Sequence, residues 1–220
     1  PFEDLFTDKR ILLTTDFVFN TPDVYQYDDH GTAVLSVIGA YQQDVFTGGA
    51  HQSTFQLYVT EDVASEYRIE EYNWLFAAER ADSAGVDIIN SSLGYYDFDD
   101  SSMNYSQSDM DGNTAVVTRA ARMATAKGIV VVCSAGNEGN NAWQLITAPA
   151  DGKDVLAVGS VNRNRVRVAS SSKGPTADGR IKPDVAAMGA STAVVFPSGT
   201  IGTSSGTSFA APLITSLVSV

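Results

Sequence analysis

Two hydrophobic periods alternate along the chain. Ile11 to Phe19, Phe55 to Val59, Val86 to Asn90, Ile129 to Ser134 and Val155 to Val161 are short runs rich in apolar and β-branched residues, which predicts strands. The segments between them place apolar residues at helical spacing. His30 to Tyr41 carries Val34, Val37, Ile38 and Tyr41 on one face. Glu70 to Ser83 and Asn113 to Lys127 also read as helices, with Gly85 and Gly128 as their stops. A last helix is predicted from Ser208 to Val220. Alternation of this kind predicts an α/β fold, a doubly wound, mostly parallel sheet with helices on both faces. The run Ile129 to Ser134 is almost entirely apolar, as in a strand buried on both sides. No repeat, linker or charge block divides the chain, so residues 1–220 read as one domain. Ligands in such sheets bind beyond the carboxyl ends of the strands. Ser91-Ser92-Leu93-Gly94 and Ala135-Gly136-Asn137-Glu138-Gly139 fall at those ends.

Composition narrows the function classes. Hydrophobic residues make up 44% and charged residues 18%, the proportions of a folded domain. A formal net charge of -12 repels phosphate backbones and argues against nucleic acid as a partner. The same surface can attract divalent cations. No apolar run approaches the roughly 20 residues of a membrane span. The single cysteine, Cys133, can form no intrachain disulfide, and Val130-Val131-Val132-Cys133 places it in a buried strand rather than at a reactive position.

Three short segments carry candidate chemistry. In Gly206-Thr207-Ser208-Phe209-Ala210-Ala211-Pro212 a small-residue turn runs into a helix. A serine there has its hydroxyl at the positive end of the helix, beside unpaired N–H groups, which suits a nucleophile whose attack creates an oxyanion. The plainer explanation of Ser208 alone is a helix cap. In Asp29-His30-Gly31-Thr32 the histidine opens a helix and has the pKa range of a general base. His51, in Gly48-Gly49-Ala50-His51, reads as a loop bystander. Asn137 follows a buried strand between glycines, where its amide could donate to an oxyanion or could simply form a turn. Asp109-Met110-Asp111-Gly112-Asn113 is a fragment of a calcium-loop pattern but reads more simply as helix capping, and Asp97, Asp99 and Asp100 as a solvated acidic loop. No zinc spacing or phosphate-cradling glycine motif occurs. Gly202-Thr203-Ser204-Ser205-Gly206 matches the nucleophile-elbow spelling of α/β hydrolases, but their acid and histidine follow the serine, and neither histidine does so here.

Taken in order, His30-Gly31-Thr32, Ser92-Leu93-Gly94, Ala135-Gly136-Asn137-Glu138-Gly139 and Gly206-Thr207-Ser208-Phe209-Ala210-Ala211-Pro212 resemble the motifs of the subtilisin-like serine proteases. Linking segments such as Thr147-Ala148-Pro149-Ala150 and Ser171-Ser172-Lys173-Gly174-Pro175 resemble them too, so the likeness covers nearly the whole chain. The resemblance implies a serine endopeptidase acting on peptide or protein substrates through an acyl-enzyme, in a secreted or cell-envelope setting. It implies Ser208 as nucleophile, His30 as base and Asn137 as oxyanion donor. It further implies Ser92, Leu93 and Gly94 as the edge that pairs with substrate, and Ala135 and Gly136 as one wall of the pocket before the scissile bond. No cofactor is required, and structural Ca2+ can accompany the fold. Departures are Ala33 where a second histidine is common, Phe209 for methionine and Met188 for proline. The alternative is a non-catalytic domain of this type that binds peptides or partner proteins through the Ser92–Gly94 edge.

One expected residue has no match. The family's aspartate closes an early central strand in an Asp-Thr/Ser-Gly string, and no such string precedes His30. Asp16 resembles the strand after the aspartate's segment, and Phe2 to Phe6 the stretch just past its turn. The aspartate is therefore expected upstream of residue 1, and the family's domain is expected to continue past Val220. Without the aspartate's strand, two neighbouring strands would keep unpaired backbone groups, and this chain by itself is expected to be inactive or severely impaired.

Overall fold

A computed structural model describes residues 1–25 and 28–219. In chain order the elements are α1 (Glu3–Thr7), β1 (Ile11–Asp16), α2 (His30–Gly39), the hairpin β2 (Tyr41–Gln42) and β3 (Phe46–Thr47), then β4 (Phe55–Val59), α3 (Ile69–Ala84) and β5 (Ile88–Ser91). They continue with α4 (Val116–Ala126), β6 (Val130–Ser134), β7 (Leu156–Val161), β8 (Val185–Met188), the hairpin β9 (Thr192–Val195) and β10 (Ile201–Ser204), and α5 (Thr207–Val218).

Strands β5, β6, β7 and β8 form a parallel sheet in that order, in register through Ile88 with Val130, Val132 with Leu156 and Val158 with Val185. Period-two alternation in its centre feeds two cores. Val131, Cys133 and Ala157 face one layer, packed with Trp74 and Ala78 of α3 and Val117, Ala120 and Ala121 of α4. Val132 and Val158 face the other, against Ala210 and Ala211 of α5. Helix α5 also packs on α2, where Phe209 joins Val34 and Val37. These are the three layers predicted from the alternation of elements.

Strands β1 and β4 pair in parallel, Leu13 with Gln56 through Asp16 with Val59, but as a separate ribbon. No pairing joins β4 to β5 among the described residues. Every residue of β4 is only partly buried, as are Ile88, Ile89 and Asn90 of β5, whereas Val131 to Ser134 of β6 are buried. The parallel strands are thus split where a further strand would complete one sheet.

Element ends differ from expectation for local reasons. Strand β5 starts at Ile88 because Gly85, at φ 76°, turns the chain and the Val86 N–H goes back to the Ala81 carbonyl. Helix α4 starts at Val116 because the Asp111 carboxylate holds the Asn113 and Thr114 N–H groups at 2.7 and 2.8 Å in a preceding turn. Strand β1 stops at Asp16, whose carboxylate takes the Val18 and Phe19 N–H groups.

Candidate active site

Residue Ser208 sits in the first turn of α5 and is only 8% exposed. Gly206 caps that helix at φ 152°, a conformation that a side chain would strain. The first-turn N–H groups of a helix have no intrahelical acceptor, and that of Ser208 is one of them. Pro212, one turn further on, has no N–H to return to the Ser208 carbonyl. That carbonyl accepts the Ser92 hydroxyl instead, at 2.9 Å, while the Ser208 hydroxyl donates to the Ser92 carbonyl at 3.3 Å. The clasp extends into the sheet. Asn90 Nδ2 donates to Ser92 Oγ at 3.1 Å, and the Thr215 hydroxyl donates to Asn90 Oδ1 at 2.8 Å. The proline thereby fastens α5 to the segment leaving β5.

Asn137 stands exposed at the end of β6. Its Oδ1 accepts the Thr207 N–H at 2.8 Å and the Thr207 hydroxyl at 3.1 Å, and that hydroxyl accepts the Gly136 N–H at 3.2 Å. Two donors on the oxygen fix the amide orientation and leave Nδ2 as a donor facing outward. Thr207 was not singled out from sequence. Its position beside Ser208 was visible, but its bond to a residue 70 positions away was not.

His30 opens α2, and its N–H is held by the Asp28 carboxylate at 2.7 Å. The ring meets Phe209 edge-on, with centroids 5.7 Å apart. Desolvation there lowers the imidazole pKa below its usual 6.5, against the opposing pull of Asp28 and Asp29. His30 thus neighbours Ser208 across Phe209, with no hydrogen bond between them. His51 lies elsewhere, stacked on Tyr41 at 4.7 Å, with Nδ1 3.3 Å from the Gly48 carbonyl. Burial pushes the Cys133 thiol up to about 12, which leaves it unreactive.

Segments Ser92–Gly94 and Ala135–Gly136 leave adjacent strands β5 and β6 side by side, the Ser134 hydroxyl donating to the Leu93 carbonyl at 3.3 Å. Ser92, Leu93 and Gly94 carry no ladder pairing, so this edge is open to an added strand. The geometry brings Ser208, Asn137, Ser92 and, through Phe209, His30 to one place. It combines a hydroxyl, two N–H donors, an imidazole and a peptide-sized edge.

The family model Peptidase_S8, described as the subtilase family, matches residues 14–220. The chain belongs to the subtilase family. Subtilisin E of Bacillus subtilis (strain 168) is 33% identical over 199 residues, covering 89% of this chain and 46% of that protein. The chain spans about half the length of such relatives. Among solved structures, a cold adapted subtilisin-like serine proteinase superposes with a TM-score of 0.75 at 22% identity, covering 96% of this chain and 67% of that one. The self-cleaved protease domain of PatA gives 0.69 at 26%, covering 86% and 65%.

Other features of this subtilase lie outside the cleft. Asp111 spends its carboxylate on Asn113 and Thr114, and Asp109 on Ser106, so that loop is a cap rather than a cage. Asp97, Asp99 and Asp100 bond to Asn104, the Glu66 N–H and the Ser102 N–H respectively. Among the described residues no group of three or more histidine, cysteine, aspartate or glutamate side chains is arranged to hold a metal ion. Three glutamates crowd Tyr95, just past the substrate edge. Glu70 is 1% exposed, and neither of its carboxylate oxygens makes a hydrogen bond of normal geometry, though the Asp62 and Tyr67 backbone lies close. Burial and repulsion from Glu66 and Glu61 raise Glu70 to about 8, and burial with Glu61 and Asp99 raises Glu66 to about 7. Two open hollows of about 420 and 560 Å3, one at the start of β6 and one beside β8, include none of the cleft residues.

Proposed function

We propose that these 220 residues act as one peptidase domain of a serine endopeptidase. Ser208 Oγ attacks the scissile carbonyl, His30 takes its proton and returns it to the leaving amine, and water then releases the acyl group from Ser208. Asn137 Nδ2 and the Ser208 N–H receive the oxyanion. A side-chain donor of this kind is worth about 10²–10³ in kcat. The substrate backbone pairs with Ser92–Gly94, and the side chain before the scissile bond enters between that edge and Ala135–Gly136. No cofactor takes part in these steps. The observation that carries the reading is the Asn137 amide, locked by Thr207 with its donor outward beside the first turn of α5.

We further propose that the acid partner of His30 arrives on a strand seated between β4 and β5. Two observations support this: the missing pairing at that place, and the lack of a described carboxylate bonded to the His30 ring. Substrates are peptides or proteins met outside the cytoplasm, by a secreted or envelope-held enzyme. No described helix is long and apolar enough to cross a membrane.

Fluorophosphonate labelling, mapped by mass spectrometry, tests the reading on this chain and on one extended upstream through an acid-bearing strand. The expected outcome is labelling of Ser208 in the extended chain and much slower labelling here. A folded extended chain that takes no label at Ser208 would favour peptide binding without catalysis.

A further inference from the structure

The two walls of the cleft share a floor. Ile146–Ala148 runs beneath them, with the Thr147 N–H bonded to the Ala135 carbonyl at 3.2 Å, and Ala148 and Tyr95 exchanging N–H···O bonds at 3.2 and 2.9 Å. The Thr147 side chain rises from that floor into the space between the walls. A Cβ added to Gly94 would lie 2.2 Å from Thr147 Oγ1, and one added to Gly136 would lie 3.0 Å from Oγ1 and 3.1 Å from Cγ2. Gly136 also sits at φ +106°, so no other residue fits there without strain. Both walls are bare of side chain where they face Thr147, and this threonine fills the slot, joined on the Gly136 side by the Ser172 hydroxyl, 2.8 Å from the Cβ position. The Thr147 hydroxyl is buried, in a residue 2% exposed, and has no hydrogen-bond partner.

We propose that Thr147 stoppers the pocket for the residue before the scissile bond, so that the enzyme cleaves after small side chains: glycine, alanine and serine. This rests on the endopeptidase reading and names the substrate class of that site. A leucine or phenylalanine needs the volume that Thr147 Cγ2 and Oγ1 occupy, and the packed floor beneath leaves nowhere to move it. Serine fits like alanine.

The test uses the full-length protein and peptides that differ only at the residue before the cleaved bond, with fluorophosphonate labelling of Ser208 to count active sites. Wild type is expected to show kcat/KM for alanine and serine at least about tenfold above leucine and phenylalanine, the scale of discrimination by pocket volume. Thr147→Gly should raise the phenylalanine-to-alanine ratio by at least about tenfold. Thr147→Val keeps the volume and removes the hydroxyl, so the small-residue preference should persist. Wild-type preference for leucine or phenylalanine overturns the proposal. So does a fully labelled Thr147→Gly enzyme with the wild-type order. If that variant does not fold, a fully labelled Thr147→Ala enzyme with the wild-type order has the same force. A folded wild type that takes no label at Ser208 overturns the endopeptidase reading, and this inference with it.

Discussion

At the scale of single residues, Pro212 acts by what it lacks. An alanine there could donate to the Ser208 carbonyl and would favour the helix by up to about 3 kcal/mol in propensity. The Ser92 hydroxyl would then lose its acceptor and the edge segment its clasp on α5. We expect Pro212→Ala to leave thermal stability equal or higher while lowering kcat/KM roughly fivefold, the worth of one hydrogen bond of about 1 kcal/mol. Unchanged kcat/KM would mean that the clasp does not position the edge. Ser208, His30 and Asn137 could be singled out in the sequence because each sits in a short string that resembles a subtilase motif. Thr207 stands beside Ser208, and Thr147 lies in a separate linking segment, yet their contacts arise only when an asparagine and two glycines from distant segments fold against them. The Ser204 motif was rightly set aside. Its Ser204 ends strand β10 and pairs with Thr192 across a hairpin.

At the scale of elements, long apolar-periodic segments were legible to within a few residues, because burial of a face decides them. Strand β8 and the hairpin β9–β10 were not, since four-residue segments of small and β-branched residues carry no usable period. The start of α3 has a consequence invisible in its periodicity. Glu70 and Glu66 hold protons in the folded state up to about 8 and about 7, whereas an unfolded chain releases them near 4.5. The folded state therefore binds more protons across that window, and stability falls as pH rises from about 4.5 to about 8. Thermal melts should show a lower Tm at pH 8 than at pH 5. Glu70→Gln, neutral at both, should raise Tm at pH 8 by at least about 3 °C and flatten the profile. A Glu70→Gln protein with the wild-type slope would exclude Glu70 as its source.

For the whole molecule, the fold and the fact of an interruption were legible in the sequence. Alternation of elements gave the layers, and absence of an Asp-Thr/Ser-Gly string before His30 led to the expectation of two strands each lacking a neighbour on one edge. Which strands they would be was not legible, because β1 and β4 precede the break in sequence and lie on one side of it in space. A synthetic peptide copying the family's acid-bearing strand should speed Ser208 labelling of this chain saturably. Replacing its Asp with Asn should cost on the order of 10⁴ of that rate while preserving any gain in stability. The midpoint of labelling against pH should also move upward when the carboxylate arrives, because a nearby negative charge favours the imidazolium that desolvation now opposes. A peptide that stabilises the chain without changing its labelling rate would place the acid elsewhere.

The open seam between β4 and β5 also makes reactivity depend on molecularity. A strand on the same chain meets the seam at a local concentration on the order of millimolar, whatever the dilution. A detached strand meets it only as often as it is supplied. Diluting a mixture of this chain and such a peptide should therefore quench labelling, and diluting a continuous chain should not.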